Sequence, residues 1–144
     1  MKIKTILLAE DNQFDAELTL KALGEYNLAN NVVIVNDGVE VMNYLRQEDQ
    51  YKERKPGNPA VILLDIKMPR MDGNDTLEAI RSDPRFKMIP VVMLTSSREE
   101  QDLLRSYSLG VNGYVVKPVD FKQFVEAVKY LGVFWVLINE QPSS

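Results

Sequence analysis

Ala60-Val61-Ile62-Leu63-Leu64-Asp65, followed by Ile66-Lys67-Met68-Pro69-Arg70-Met71-Asp72-Gly73, decides how this 144-residue chain is read. An apolar run without polar alternation marks a strand buried on both faces, as at the centre of a parallel sheet. This run ends in a carboxylate. Pro69 and the Asp72-Gly73 pair then stop the strand and force a tight loop, which sets Asp65 at the strand's carboxyl tip, where water and ligands are expected to reach it. Asp72 itself lies beyond that tip and reads as a turn former rather than as a reactive group.

Working outward, the same pattern recurs. Ile6-Leu7-Leu8-Ala9 is a short apolar run that also ends in acid, Glu10-Asp11. Asn12 suits a helix cap, with Asp15 in the favourable first turn. Between Phe14 and Leu23 the apolar residues nearly alternate, but the Ala, Leu, Glu and Lys content favours a helix with Ala16, Leu20 and Leu23 on one face. Val32-Val33-Ile34-Val35 reads as a strand, Asn36-Asp37-Gly38 as a turn, and the next helix turns Val41, Met42 and Leu45 inward. Gln47 to Pro59 is charged, carries Gly and Pro and lacks periodicity, so it is a surface loop. Asn74 to Ser82 forms a short helix facing Leu77 and Ile80 inward. Val91 to Leu94 is a fourth strand, ending in Thr95-Ser96-Ser97. Arg98 to Leu109 is a helix stopped by Gly110, Gly113 to Val116 is a fifth strand ending in Lys117-Pro118, and the last helix runs from Asp120 towards Asn139.

Composition narrows the chemistry. With 45% hydrophobic and 26% charged residues, the chain is expected to be one globular domain spanning residues 1–144, with no second or output domain. A net charge of -4 argues against a DNA-binding surface of clustered Lys and Arg. The chain has no cysteine, which excludes disulfides and thiolate metal sites, and no histidine, which excludes imidazole catalysis and a phosphohistidine of its own. The short apolar run before Glu10 is too brief for a signal sequence or a membrane span, and a cytoplasmic location is expected.

Strands alternating with helices build a parallel sheet covered on both faces. In the flavodoxin-like (βα)5 doubly wound order 2-1-3-4-5, ligands bind at the carboxyl ends beside the switch between strands one and three. Glu10, Asp11 and Asp65 end those strands, and Thr95 and Lys117 end strands four and five on the same rim. Taken singly, Asp11 reads equally as a helix-start charge, Thr95 as a cap, Lys117 as a solvated surface charge and Tyr114 as core-edge filling. Their convergence from distant segments changes that reading. Close carboxylates raise one another's pKa unless a cation neutralises them, and an all-oxygen set suits Mg2+. A phosphoryl ligand completes the set, with Lys117 as a point charge, Thr95 as a hydroxyl donor and Asp65 as the nucleophile.

At these residues the chain resembles the receiver domain of two-component response regulators over essentially its whole length. Glu10-Asp11 looks like the family's acidic pair, Asp65 its phosphoacceptor, Thr95 its hydroxyl, Tyr114 its switch aromatic, and Lys117-Pro118 its Lys followed by a cis Pro. The resemblance implies that Asp65 takes a phosphoryl group from the phosphohistidine of a sensor histidine kinase. It implies a magnesium held by Asp11, Asp65 and the backbone carbonyl of Lys67, with Glu10 acting through water. It also implies that Thr95 and Tyr114 switch the face formed by the fourth helix, fifth strand and fifth helix. Lys67 and Ser97 fall where the family varies and tunes dephosphorylation.

The last helix points to a partner. Phe121, Phe124, Val125, Val128, Leu131 and Trp135 trace an inward face, but residues 131–138 are apolar nearly all round, apart from Gly132. A homodimer or partner contact through Phe134 and Leu137 is expected, the alternative being a tail folded onto its own domain. The long loop before strand three and the Phe-Trp ending look like single-domain regulators paired with phytochrome-type light-sensing kinases. Two other readings stay open: a Mg2+-dependent phosphohydrolase of the haloacid-dehalogenase-like kind, which wants a second Asp where Lys67 stands, and a scaffold receiver that is not phosphorylated.

Overall fold

The apolar runs become parallel strands: β1 (Ile6–Ala9), β2 (Val32–Val35), β3 (Val61–Asp65), β4 (Val91–Thr95) and β5 (Gly113–Val116). They form a five-stranded sheet in the order β2-β1-β3-β4-β5, every neighbouring pair parallel, which is the doubly wound, flavodoxin-like arrangement. The computed structural model describes residues 5–25, 28, 31–95, 113–120 and 122–126, with backbone alone at Gly113 and Tyr114. The expected helix over 98–109, Ser97, the Tyr114 side chain and the apolar run with Phe134 and Leu137 lie outside the described residues.

Strand alternation divides the core in two. Leu7, Ala9, Ile62, Leu64, Val91 and Met93 point to one face, where Val41, Met42 and Leu45 of α2 (Gly38–Arg46) and Leu77 and Ile80 of α3 (Gly73–Ser82) cover them. Ile6, Leu8, Val61, Leu63, Val92 and Leu94 point to the other, against Ala16, Ala22 and Leu23 of α1 (Gln13–Gly24) and Phe124 of the helical segment 122–126. Every residue of β3 is buried, as the unbroken apolar run requires.

The buried stripe of α1 differs from the expected one. It runs through Ala16, Thr19, Ala22 and Leu23, and Leu20 is only half-buried. Leu20 lies about 100° around the helix from Thr19, and the Thr19 hydroxyl can be buried because it donates to the Asp15 carbonyl oxygen at 3.0 Å. Helices α1, α2 and α3 each start on an acceptor side chain: Asn12 takes the Asp15 amide, Asp37 the Glu40 amide and Asp72 the Asp75 amide. Asp72 is thus a helix cap, and α3 begins one residue before the expected Asn74. Among the described residues no helix is long and apolar enough to cross a membrane.

Candidate functional site

Register builds the site. Ala9 pairs with Leu64, so the next residues, Glu10 and Asp65, leave adjacent strands side by side. Asp65 pairs with Leu94 and Thr95 with Val116, so the last residues of β3, β4 and β5 advance stepwise along one rim. Period-two alternation gives Glu10, Asp65 and Lys117 the parity of the face covered by α1, and Asp11 and Thr95 the opposite parity.

The parity is realised in contacts. The Lys117 ammonium donates to Glu10 Oε1 at 3.2 Å, Asp15 Oδ2 at 3.1 Å and Asp65 Oδ2 at 3.3 Å. Its backbone amide donates to the Thr95 carbonyl oxygen at 2.7 Å, and the Lys117–Pro118 peptide bond is cis. Oxygens of Glu10, Asp11 and Asp65 lie within 4.8 Å of one another, Asp11 exposed and the other two buried. Hard oxygen donors at this spacing fit a hard divalent cation. Thr95 is fully buried, and Lys67, two residues past Asp65, has an exposed side chain.

Asp65 is less open than its place at a strand tip suggests, being 4% exposed beneath Lys117. Burial, and next the charge of Glu10, push its carboxyl up to about 8, against the pull of Lys117. Burial alone would lower the Lys117 pKa, but the carboxylates of Asp65, Asp15 and Glu10 hold it above the ordinary lysine range. The cluster is therefore short of positive charge, and one ammonium is shared among three carboxylates.

The sequence reading brought together Glu10, Asp11, Asp65 and Lys117, and they do meet. It took Asp15 only as a helix-start charge. The available signal was its place in the first helical turn after the Asn12 cap, directly beyond the acidic end of β1. A second ionic contact was also missed. Arg70 Nε and Nη2 donate to Asp37 Oδ2 and Oδ1 at 2.7 and 3.1 Å, joining the loops after β3 and β2. No local pattern links residues so far apart in sequence.

Comparison with known proteins agrees with this geometry. The family model described as "Response regulator receiver domain" matches residues 6–129. Response regulator Rcp1 of Synechocystis is 38% identical over 133 residues, covering 92% of this chain and 89% of Rcp1. A structure of Rcp1 in its Mn2+-bound form has a TM-score of 0.72 at 36% identity, covering 92% and 94% of the two chains. The bacteriophytochrome response regulator AtBRR superposes with a TM-score of 0.87 at 54% identity, covering 96% of this chain and 99% of that one. The phosphorylated cyanobacterial phytochrome response regulator RcpA does so at 0.75 and 42%, covering 94% and 95%. With a whole-sheet match, a rim of acids and a shared lysine in hand, the chain belongs to the response regulator receiver domain family.

Proposed function

We propose that this receiver accepts a phosphoryl group on Asp65 from the phosphohistidine of a sensor histidine kinase. One observation carries the assignment of residues: a buried carboxylate at a parallel strand tip, with an ammonium at 3.3 Å and two further carboxylates in the same cluster. An Asp65 oxygen attacks phosphorus in line, the new O–P bond forms, and the donor's P–N bond breaks with its electron pair leaving on the imidazole. Lys117 exchanges a carboxylate oxygen for a phosphoryl oxygen as its partner, and the Thr95 hydroxyl offers a further donor. Asp11, Asp65 and the Lys67 carbonyl, with Glu10 through water, are the groups that would hold Mg2+. When bound, that ion would neutralise the acids and draw charge from the phosphoryl oxygens. The chain's own catalysis is confined to gaining and losing this group.

Thr95 and Tyr114 then couple the modified Asp65 to the face of the fourth helix, fifth strand and fifth helix, since a group of about two negative charges can create new charge-assisted hydrogen bonds. The similarity to AtBRR and RcpA supports a phytochrome-type kinase as donor, and the coverage of nearly the whole length of both supports a stand-alone regulator. The apolar run at 131–138 supports a homodimer through Phe134 and Leu137. Polar substitution of both should shift sedimentation from dimer to monomer, and an unchanged species would refute the contact.

The test of the central reading is incubation with Mg2+ and acetyl phosphate. One acid-stable, base-labile phosphate per chain, lost in Asp65→Asn, is expected. Unlabelled wild-type protein defeats the proposal, and rapid multiple turnover assigns a phosphohydrolase instead.

A further inference from the structure

The ion pair between Asp37 and Arg70 has no part in the chemistry just described, yet it joins the two loops that flank the tip of β1. Asp37 follows β2 and Arg70 follows β3, and β1, which carries Glu10 and Asp11, lies between those strands. Asp37 is 4% exposed and already committed, since its Oδ1 accepts the Glu40 amide at 2.9 Å as the cap of α2. Arg70 meets it with both prongs of the guanidinium, a geometry that specifies direction as well as charge. The backbone repeats the link, because the Gly38 amide donates to the Met71 carbonyl oxygen at 3.1 Å. The approach is so close that a Cβ at Gly38 would overlap the Thr76 hydroxyl and lie 2.6 Å from that same carbonyl oxygen.

These contacts fall on the segment between Asp65 and α3. Its ends are pinned together by the Gly73 amide on the Ile66 carbonyl oxygen at 2.8 Å, and the Met71 amide closes a tight turn on Pro69. Arg70 takes the left-handed conformation, with φ of 63°, at the point where its side chain leaves for Asp37. Lys67 and Met68 are carried between these anchors.

We propose that the Asp37–Arg70 pair is a positioning device for the divalent-cation site: it holds the loop after β3, and with it the Lys67 backbone two residues past Asp65, in one geometry. The inference rests on the metal-binding part of the proposed function. It makes a prediction opposite in sign to simple electrostatics. Removing the Arg70 charge should by itself tighten cation binding to an acidic cluster. Removing a clamp should weaken it.

The experiment is Mn2+ binding followed by the electron paramagnetic resonance of the free ion, with Mg2+ as competitor, on the full chain and on Arg70→Gln, Arg70→Lys and Asp37→Asn. The clamp predicts affinity about 3–10-fold weaker in each, including Arg70→Lys, which keeps the charge but loses the fork, and no further loss in the Asp37→Asn, Arg70→Gln double variant. Asparagine still caps α2, and Arg70 is 56% exposed at its side chain, so folded variants are expected and a thermal melt verifies each. Unchanged or tighter Mn2+ binding by folded Arg70→Gln, with the wild-type site intact, overturns the clamp alone. Absence of saturable binding in the wild type overturns the metal site of the proposed function, and the clamp with it.

Discussion

Replacing Asp65 by asparagine should stabilise this protein when divalent cations are absent, by an amount that grows with pH. The carboxyl ordinarily titrates at 3.8, and burial followed by the charge of Glu10 pushes it up to about 8 in the folded chain. Between these values the folded state keeps a proton that the unfolded state has released. Folded protein thus binds more protons, and stability falls as pH rises through the window, by up to about 1.4 kcal/mol per pH unit. Lys117 stays charged throughout because its own pKa is raised, and it adds no slope. The full window corresponds to a ceiling of roughly 5–6 kcal/mol. Local relaxation and water reach this rim, so a gain of about 2–4 kcal/mol at pH 8 is expected, a melting-temperature rise of roughly 6–12 °C. At pH 5 the gain should shrink below about 1 kcal/mol. Thermal melts in EDTA at pH 5, 6.5 and 8 measure it. Added Mg2+ should stabilise the wild type at pH 8 and leave the variant nearly unmoved. An asparagine variant that melts no higher than wild type at pH 8, or whose advantage is as large at pH 5, refutes the reasoning.

Other outcomes follow from the same contacts. Lys117→Ala leaves Glu10, Asp15 and Asp65 without their shared ammonium, so it should lower stability in EDTA at pH 8 by about 2–4 kcal/mol, with Mg2+ recovering most of the loss in a melt. Thr95→Ala should slow acetyl phosphate labelling about tenfold or more while Mn2+ affinity stays within about twofold, because the hydroxyl is assigned to the phosphoryl group and not to the metal. Gly38→Ala forces a methyl against Thr76 and the Met71 carbonyl, and urea unfolding should register a loss of about 2–4 kcal/mol.

Apolar runs ending in acid, hydroxyl or lysine were enough to place the strands, and the doubly wound topology of alternating strands and helices supplied their order and the rim on which Glu10, Asp11, Asp65, Thr95 and Lys117 stand. Burial on both faces leaves an unbroken hydrophobic signature, and a parallel sheet brings all its carboxyl ends to one side. Details that depend on rotation about a helix were less legible. Leu20 was expected in the buried stripe of α1, but Thr19 is buried there, its hydroxyl satisfied by the Asp15 carbonyl oxygen. Asp15 reads in sequence only as a first-turn charge, and the structure makes it a partner of Lys117 as well.

What the chain's order of residues determined by itself was the sheet and the inventory of its reactive rim, since both follow from short-range periodicity and from which residue ends each strand. Tertiary structure alone decided that one ammonium is shared by Glu10, Asp15 and Asp65, that Asp65 is nearly closed to solvent, and that Arg70 reaches back to Asp37. Those facts depend on register between strands and on the approach of loops separated by 33 residues. Through-space distance and desolvation set such interactions, and neither is written in local sequence.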